Sequence, residues 1–395
     1  MRGRQIAVAL AAATALAGCG AGGGSQPASH AAQSQAAAGK APIKVGVMTN
    51  DTGPYAPLGS EVRNAVQMVI NQVNQQGGVD GHPIDAIYLD GQTNPNLAVT
   101  QAKQLVADHV VAVLGLEFGT AAHAAVPIFE QAHIPVIVNT ADEAVAEPTN
   151  PWVFDVSTVT KIQDARMASY LACKHITQVA SLHDTEALGE EGNQDLKQLA
   201  SQYHFQVVVD QPYDLTAKNL VNQLTAIGRS PAQAIVYWGV GTAPAIVVKE
   251  YHQLGLKIPL LASAANADPT FLKEVGSDAN GMLVAATPSV MLQHLPKFTP
   301  HPQELLAFAQ AYQQTYHQPL GELAGLGHDA AAMLIHVMQQ GALTPGSIDA
   351  QLNNLTYSAL NGTWKFTPDN HVGLQVSDVV MARIVNGEAV ATACQ

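Results

Sequence analysis

From Ile43 onward the chain alternates short apolar runs with longer amphipathic ones, and this alternation limits the fold more than any other feature. The runs IKVGVM, IDAIYLD and VVAVLGL have the length and apolar content of buried strands, and the intervals between them carry helical patterns. Near-continuous apolar strands separated by helices are typical of a parallel sheet with helices on both faces and right-handed crossovers. The pattern predicts an α/β fold.

The same pattern starts again after WVFDVS and runs to the strand IPLLAS. Residues 301–355 are then mostly helical, and the chain closes with apparent strands around TWKF, VSDVVMARI and AVATA. Neither half is complete without a part of this tail. Because 395 residues suit two domains of about 100 to 200 residues each, we predict two α/β lobes.

Composition excludes several classes of protein. Hydrophobic residues make up 47% of the chain and charged residues 12%, whereas disordered chains combine low hydrophobicity with high net charge. The 18 Lys and Arg against 31 Asp and Glu give a formal charge of -13, and no basic cluster is present to bind phosphates. Nucleic acid is therefore not an expected partner. The 15 histidines and 3 cysteines lack metal-ligand spacing, so we predict no metal and no cofactor.

The N-terminus predicts export. Two arginines precede an apolar stretch at 6–17 that is shorter than the ~20 residues of a membrane span and ends in small residues. The string LAGC at 16–19 looks like the bacterial lipobox, in which the signal is cut before the cysteine and the thiol carries a lipid. We predict a signal peptide at 1–18 and a lipid on Cys19 that anchors an extracytoplasmic protein to the cell membrane. The alternative is an ordinary secreted protein with an incidental cysteine.

Residues 19–41 contain almost only Gly, Ala, Ser and Gln, which predicts a flexible tether. Two cysteines follow the tether, Cys173 and Cys394, and an extracytoplasmic compartment permits them to form a disulfide. The alternative is two separate buried thiols.

Sequence motifs of catalysis are missing. The chain contains no GxSxG elbow, no GxxxxGK[ST] phosphate loop, no HExxH and no GxGxxG after the first strand. The glycines of YWGVG lack the third glycine of a dinucleotide fingerprint and are interpreted as helix punctuation. We predict no catalytic residue and a protein that is not an enzyme.

Several segments in a fixed order are more specific than any one motif. The opening IKVGVMTNDTGPYAPLG is followed by AVQMVINQVNQQGGVDGHPI, LDGQTNPNLAVTQAKQLV and VVAVLG. Together they resemble the leucine/isoleucine/valine-binding family of bacterial ABC uptake systems, the type I periplasmic binding proteins. VASLHDTEALGEEG, HQLGLKIPLLAS, GMLVAATP and NGTWKFTPDNHVGLQ continue in the family's order, so the resemblance covers nearly all of 43–395.

The resemblance implies two Rossmann-like lobes with parallel-rich sheets, joined by a hinge that the chain crosses three times. Lobe 1 would comprise 43–156 plus 288–360, and lobe 2 would comprise 157–287 plus 361–395. Both later cysteines fall in lobe 2, so their disulfide would brace that lobe without locking the hinge.

Ligands of open α/β sheets bind beyond the carboxyl ends of the strands. The loops expected there are 49–58, 117–121, 139–143, 184–189, 238–242 and 263–266. The resemblance implies ligand contacts at Tyr55, Leu58, Phe118, Gly119, Thr120, Thr140, Asp142, Leu188, Trp238, Val240 and Ala264.

Several of these positions depart from the amino-acid-binding relatives. The two hydroxyls that hold the ligand carboxylate fall on Gly119, with Thr120 next to it, and on Asp142. The carboxylate that takes the ammonium falls on Ala264, and aromatic positions fall on Leu58, Leu188 and Val240. At an effective dielectric of about 20, like charges about 4 Å apart repel by roughly 4 kcal/mol, so an ordinary α-amino acid is not expected.

The crevice that remains carries Tyr55, Phe118, Trp238, Thr140, Asp142 and Glu117. These residues suit a ligand with a cationic or NH-bearing group and an apolar or planar body. The alternatives are that Trp238 belongs to the core and that Glu117 faces solvent. For Asp142 and Asp184 the alternative is a helix cap.

The resemblance implies a monomeric, lipid-anchored receptor that captures a small polar or amphipathic solute and presents its closed form to a membrane permease. The solute classes are an amino acid, an amide, an amine or an aromatic compound. Two alternatives from other classes stay open. One is a sensing module for a signalling partner, and the other is a surface hydrolase that uses Asp142.

Overall fold

The computed structural model describes residues 40–395, and its first part is a parallel sheet with helices between its strands. The elements are β1 (Ile43–Thr49), α1 (Ala56–Gln75), β2 (Ile84–Asp90), α2 (Pro95–Ala107), β3 (Ala112–Gly115), α3 (Gly119–Gln131), β4 (Val136–Val138) and β5 (Val153–Asp155). The strand order is β2-β1-β3-β4-β5, with every neighbouring pair parallel. The predicted signal peptide, Cys19 and nearly all of the predicted tether lie outside the described residues.

A second α/β unit follows in series. Its elements are α4 (Thr160–Cys173), β6 (Gln178–Asp184), α5 (Ala187–Leu199), β7 (Gln206–Tyr213), α6 (Val221–Arg229), β8 (Ala234–Trp238), α7 (Ala243–Gln253), β9 (Leu260–Ser263), α8 (Pro269–Val275) and β10 (Leu283–Ala286). Helix α8 begins at a clear sequence signal. Asp268 accepts hydrogen bonds from the N–H groups of Thr270 and Phe271 at 2.9 Å, and Pro269 occupies the first helical position.

The C-terminal part contributes to both halves of the molecule. Its elements are α9 (Pro302–Tyr316), α10 (Glu322–Gln339), α11 (Pro345–Leu352), β11 (Thr356–Ser358), β12 (Thr363–Lys365), β13 (Val380–Val385) and β14 (Glu388–Ala391). Helix α10 packs against α1 through buried residues such as Val62 and Leu326. Strands β13 and β14 complete the second sheet, whose order is β14-β13-β10-β9-β8-β6-β7. These two strands are antiparallel additions to an otherwise parallel sheet.

The predicted α/β fold with two parallel-rich sheets is confirmed. In the part of the chain that the structure describes, no helix is both long and apolar enough to cross a bilayer.

The chain that follows β12 stays on the first sheet. His371 stacks on Phe154 with ring centroids 4.3 Å apart, and its carbonyl accepts a hydrogen bond from the N–H of Asp155 at 2.8 Å. Val372 also forms a parallel bridge with Asp155. We therefore propose that the third crossing lies between Val372 and Val380 rather than at 360–361. The other lobe limits stay predictions.

Cys173 and Cys394 are joined by a disulfide, with their Cα atoms 5.9 Å apart. Cys173 ends α4, and Cys394 follows β14 at the edge of the second sheet. Helix α4 packs on β9, β10 and β13 of that sheet. The bond therefore joins two parts of one packing unit and does not cross to the first sheet.

We expect the double substitution Cys173→Ser with Cys394→Ser to lower the free energy of unfolding by about 2 to 5 kcal/mol, because the bond closes a loop of 221 residues. Urea unfolding measures this change, and the double variant should be insensitive to reductant. Equal unfolding midpoints for the oxidised and the reduced native chain would contradict the prediction.

Candidate ligand-binding cavity

A cavity lies where the carboxyl ends of the strands of both sheets face each other. The space between protein atoms there is about 490 Å³ when the open solvent at its mouth is included. The lining residues are Tyr55, Leu58, Glu117, Gly119, Asn139, Thr140, Ala141, Ser157, Thr158, Gln163, Leu188, Trp238, Val240, Ser263, Ala265, Glu322, Leu323 and Leu326. Eleven of the 18 lie at the carboxyl ends of β1, β3, β4, β5, β8 and β9 or in the segments that follow these strands, as expected for ligand sites of open α/β sheets.

Most of the predicted ligand contacts line this cavity. They are Tyr55, Leu58, Gly119, Thr140, Leu188, Trp238 and Val240. The first four come from the half of the molecule that holds the first sheet, and the last three come from the half that holds the second sheet. A single small molecule in the cavity would touch both halves.

Three other predicted contacts lie behind the lining. Phe118 packs behind Tyr55, with ring centroids 4.6 Å apart. The N–H of the fully buried Ala264 donates to Oε1 of Gln163 at 2.9 Å. The hydroxyl of Thr120 donates to Oε2 of Glu186 at 3.1 Å, which joins α3 to the loop before α5.

The structure does not bring the remaining predicted contact, Asp142, into the cavity. Its Oδ2 atom lies 2.9 Å from Nε2 of His123, and this hydrogen bond raises the pKa of His123. Asp142 and His123 line a separate groove together with Glu191 of α5. The Asp142 side chain does not cap the short 3-10 helix Glu143–Val145 that follows it. The Asp142 carboxylate nevertheless lies against Gly119 of the lining, since a Cβ at Gly119 would come within 2.5 Å of its Oδ2 atom, and the expected repulsion of a ligand carboxylate stays a prediction.

Glu117 is a buried acid of the lining. Its Oε1 atom accepts hydrogen bonds from the backbone N–H of Asn50 at 2.7 Å and from Nδ2 of the same residue at 2.9 Å. The Oε2 atom accepts no hydrogen bond from the described residues. Burial raises the pKa of Glu117 to about 7.

The backbone before Glu117 explains its position. Gly115 has φ of 107°, and a Cβ there would lie 2.2 Å from the carbonyl oxygen of Met48. Only glycine allows β3 to end in this close approach to β1. The turn carries Glu117 to the point where the chain enters α3.

Glu322 is a second buried acid of the lining, and sequence reasoning missed it. It is the first residue of α10, and its Oε1 atom accepts a hydrogen bond from the hydroxyl of Thr158 at 2.9 Å. Burial raises the pKa of Glu322 to about 8. No local motif marks it, because α10 reaches the cavity only by packing on α1. Ser157, Thr158, Gln163, Leu323 and Leu326 were also missed, whereas Asn139, Ala141, Ser263 and Ala265 lie in loops that were expected at the site.

Trp238 serves the core and the cavity together. Its indole Nε1 donates to Oδ1 of the buried Asp164 at 3.0 Å, which fixes the ring. Gly192 of α5 lies against the same ring, since a Cβ at Gly192 would come within 2.5 Å of it. The side chain is fully buried and also lines the cavity. Trp238 is therefore both a core residue and a residue that a ligand could contact.

A carboxyl group of α5 joins the two halves of the molecule beside the separate groove. Glu191 accepts hydrogen bonds from the N–H groups of Glu143 and Ala144 at 2.9 and 3.0 Å, which belong to the half with the first sheet. Burial and the neighbouring Asp142 carboxyl raise the pKa of Glu191 to about 9. The arrangement therefore holds a proton on Glu191 at neutral pH.

Among the residues from 40 to 395, no group of three or more His, Cys, Asp or Glu side chains has the geometry to hold a metal ion.

We expect Glu191→Gln to raise the melting temperature at pH 8.5 and to leave it unchanged near pH 4. Each kcal/mol that the substitution adds to the free energy of unfolding should raise the melting temperature by roughly 2 °C. The raised pKa of Glu191 means that its contribution to stability is full below the ordinary carboxyl pKa of 4.5 and is lost as the pH rises towards 9. Glutamine stays neutral throughout. Melting curves across this pH range measure the effect.

Glu190→Gln is the matched control, because Glu190 is the adjacent and largely exposed residue of the same helix. If the melting temperature of Glu191→Gln depends on pH in the same way as that of the native protein, Glu191 does not have the raised pKa assigned to it.

Comparisons with known proteins agree with this geometry. The family model described as Periplasmic binding protein matches residues 42–389. A leucine-, isoleucine-, valine-, threonine- and alanine-binding protein of Pseudomonas aeruginosa is 21% identical over 327 residues, which are 82% of this chain and 85% of that protein. The relatives are solute-binding proteins and not enzymes.

Solved structures show the same fold. A solute-binding protein of an ABC transporter from Rhodopseudomonas palustris BisB5, in complex with 3,4-dihydroxybenzoic acid, has a TM-score of 0.79 at 20% identity and covers 89% of this chain and 96% of its own. A branched-chain amino acid transporter substrate-binding protein from Streptococcus pneumoniae, in complex with isoleucine, has a TM-score of 0.77 at 19% identity, with coverages of 89% and 98%.

The family match spans most of the chain and implies an extracytoplasmic location. The chain belongs to the periplasmic binding protein family, as a type I member related to the branched-chain amino acid binders.

Proposed function

We propose that this protein captures a small polar or amphipathic solute in the cavity and delivers it to the permease of an ABC uptake system. The observation that carries the proposal is a lining shared by both halves, with Tyr55 and Thr140 on one side and Leu188 and Trp238 on the other. A ligand that touches both halves stabilises only the arrangement in which they are close. Binding therefore shifts the population towards a closed form that a permease can recognise.

The relatives support amino acids and aromatic acids as compounds to test. One is named for binding leucine, isoleucine, valine, threonine and alanine, and the two structures hold isoleucine and 3,4-dihydroxybenzoic acid. Amides and amines complete the set, because buried carboxyl groups in the lining can accept hydrogen bonds from N–H groups.

We propose no reaction in the cavity. The hydroxyl groups of the lining belong to Tyr55, Thr140, Ser157, Thr158 and Ser263. In the described lining no histidine or lysine accompanies them to take a proton from a nucleophile. The family's solute-binding relatives support the same conclusion.

We also propose that the mature protein is a monomer attached to the membrane through a lipid on Cys19. The support is the LAGC string at 16–19 and the Gly- and Ser-rich segment that follows it. An anchored tether would keep the binding domain near its permease.

Ligand binding should stabilise the native chain and should fail when the cavity is filled. After carried-over ligand is removed, a bound solute at 100 times its dissociation constant should add about 2.7 kcal/mol to the stability, visible as a thermal shift. Leu188→Trp should abolish the shift, because the indole would occupy the space between the two halves. Leu254→Trp is the control, since Leu254 is exposed and outside the cavity. If Leu188→Trp binds the solute as the native protein does, the solute does not bind in this cavity.

Cys19→Ser should release the protein from the membrane fraction and abolish labelling with a radioactive fatty acid. Cys173→Ser is the control substitution, because that cysteine belongs to the folded domain and should not affect anchoring. Continued membrane retention of Cys19→Ser would contradict the lipid anchor.

A further inference from the structure

The cavity carries acidic groups without a compensating cation. Glu117 and Glu322 are the ionisable carboxyl groups of the lining, and no Lys, Arg or His is among the described lining residues. Glu117 is 6% exposed and Glu322 is 4% exposed, so water screens neither of them well. A low dielectric strengthens the field of such groups on anything that enters the cavity.

Hydrogen-bond acceptors of the lining lack donors. Oε2 of Glu117 and Oδ1 of Asn139 are buried, and neither accepts a hydrogen bond from the described residues. Buried polar atoms are usually paired, because an unmade hydrogen bond leaves the cost of desolvation without compensation. A ligand that brings N–H groups would supply the missing donors.

Several hydrogen-bond donors of the lining already donate to acceptors of the protein. The hydroxyl of Thr158 donates to Glu322, and the indole of Trp238 donates to Asp164. Gln163 donates to the carbonyl of Thr158 and accepts from Ala264. These particular donor groups are therefore already occupied by acceptors of the protein.

The ionisable groups around the two glutamates do not neutralise them. Asp51 faces Glu117, and its charge is paired with Arg63 at 2.6 Å. Glu322 faces Glu61 of α1.

Further carboxyl groups act on Tyr55 besides Glu117. The carboxyl groups of Asp184 and Glu186, in the half with the second sheet, face Tyr55. The whole neighbourhood therefore favours positive charge in the cavity.

Apolar side chains form the rest of the lining. They are Leu58, Leu188, Val240, Leu323 and Leu326, together with the rings of Tyr55 and Trp238. Such walls fit a branched alkyl or aryl body, and aromatic faces attract a cation.

We propose that the ligand is a small organic ammonium ion with an apolar alkyl or aryl body and no carboxylate, held by Glu117 and Glu322. This inference rests on the proposed function and narrows its solute classes to amines. A carboxylate about 4 Å from an ionised glutamate, at an effective dielectric of about 20, would lose about a thousandfold in affinity.

Protonation links this binding to pH. Burial raises the pKa of Glu117 to about 7 and that of Glu322 to about 8, so the empty cavity holds protons at neutral pH. An ammonium ion favours the ionised carboxylates and therefore displaces protons. Affinity for an amine should rise from pH 5.5 to pH 8, by about tenfold or more, while the amine itself stays charged.

Isothermal titration calorimetry with four ligands that share a 3-methylbutyl group tests the proposal. They are 3-methylbutylamine, 4-methylpentanamide, leucine and 4-methylpentanoate, and benzylamine, benzamide and benzoate repeat the comparison with an aryl body. In at least one of the two series, the amine should bind at least tenfold more tightly than the other members. Titrations in buffers of different ionisation enthalpy should show proton release on amine binding.

Two variants assign the effect to the named carboxyl groups. Glu117→Gln and Glu322→Gln should each weaken amine binding by at least tenfold and reduce proton release. Glu250→Gln is the matched control, because Glu250 is equally buried but lies outside the cavity, where it accepts a hydrogen bond from the N–H of Leu220. Melting curves verify that each variant is folded. If only one of the two glutamine variants folds, that variant alone is sufficient for the test.

Each other outcome overturns the inference in a recognisable way. If leucine or an acid binds as tightly as the amine, the cavity is a solute site of a different class and the proposed function stands. If the amide equals the amine, the charge requirement is wrong. If neither amine binds, the inference fails. Mass spectrometry of small molecules released from the denatured native protein then decides separately whether the cavity carries a solute.

Discussion

Burial of both faces of a parallel sheet is the constraint on which this molecule depends. Helices cover the faces of the two sheets, so a solute can meet the strands only where they end. The same covering removes water from carboxyl groups at those ends. Glu117 follows β3 and is almost fully buried, because α3 starts immediately after it. Desolvation therefore determines both where a ligand can bind and which protonation states the cavity prefers.

Much of the fold could be predicted from the sequence, since apolar runs of strand length and helical spacing are local properties. The loops expected at the carboxyl ends of the strands supply most of the lining, including Tyr55, Thr140 and Trp238. The antiparallel direction of β13 could not be predicted, because strand direction depends on where the chain re-enters the sheet. The path of the chain through His371 was missed for a similar reason. Its stacking on Phe154 is a contact over a long sequence separation.

Side-chain direction was the least predictable property of the site. Asp142 occupies a loop at the correct edge of the sheet, yet His123 of α3 draws its carboxylate into a neighbouring groove. Glu322 belongs to a helix that the sequence marks only as amphipathic, and tertiary packing on α1 brings it to the cavity. Loop position follows from strand order, but the direction of a charged side chain follows from partners elsewhere in the chain.

The second sheet obtains its last two strands from residues that follow the whole helical tail. The first sheet has all five of its strands by Asp155, whereas the second sheet is complete only at Ala391. Strand β10 pairs on one edge with β13, and Cys173 forms its disulfide with Cys394, so both depend on residues near the end of the chain. The order of assembly is therefore asymmetric. Until the last residues of the chain are in place, β10 has an unpaired edge and Cys173 lacks its partner thiol, so the second unit is the part of the fold that is completed last.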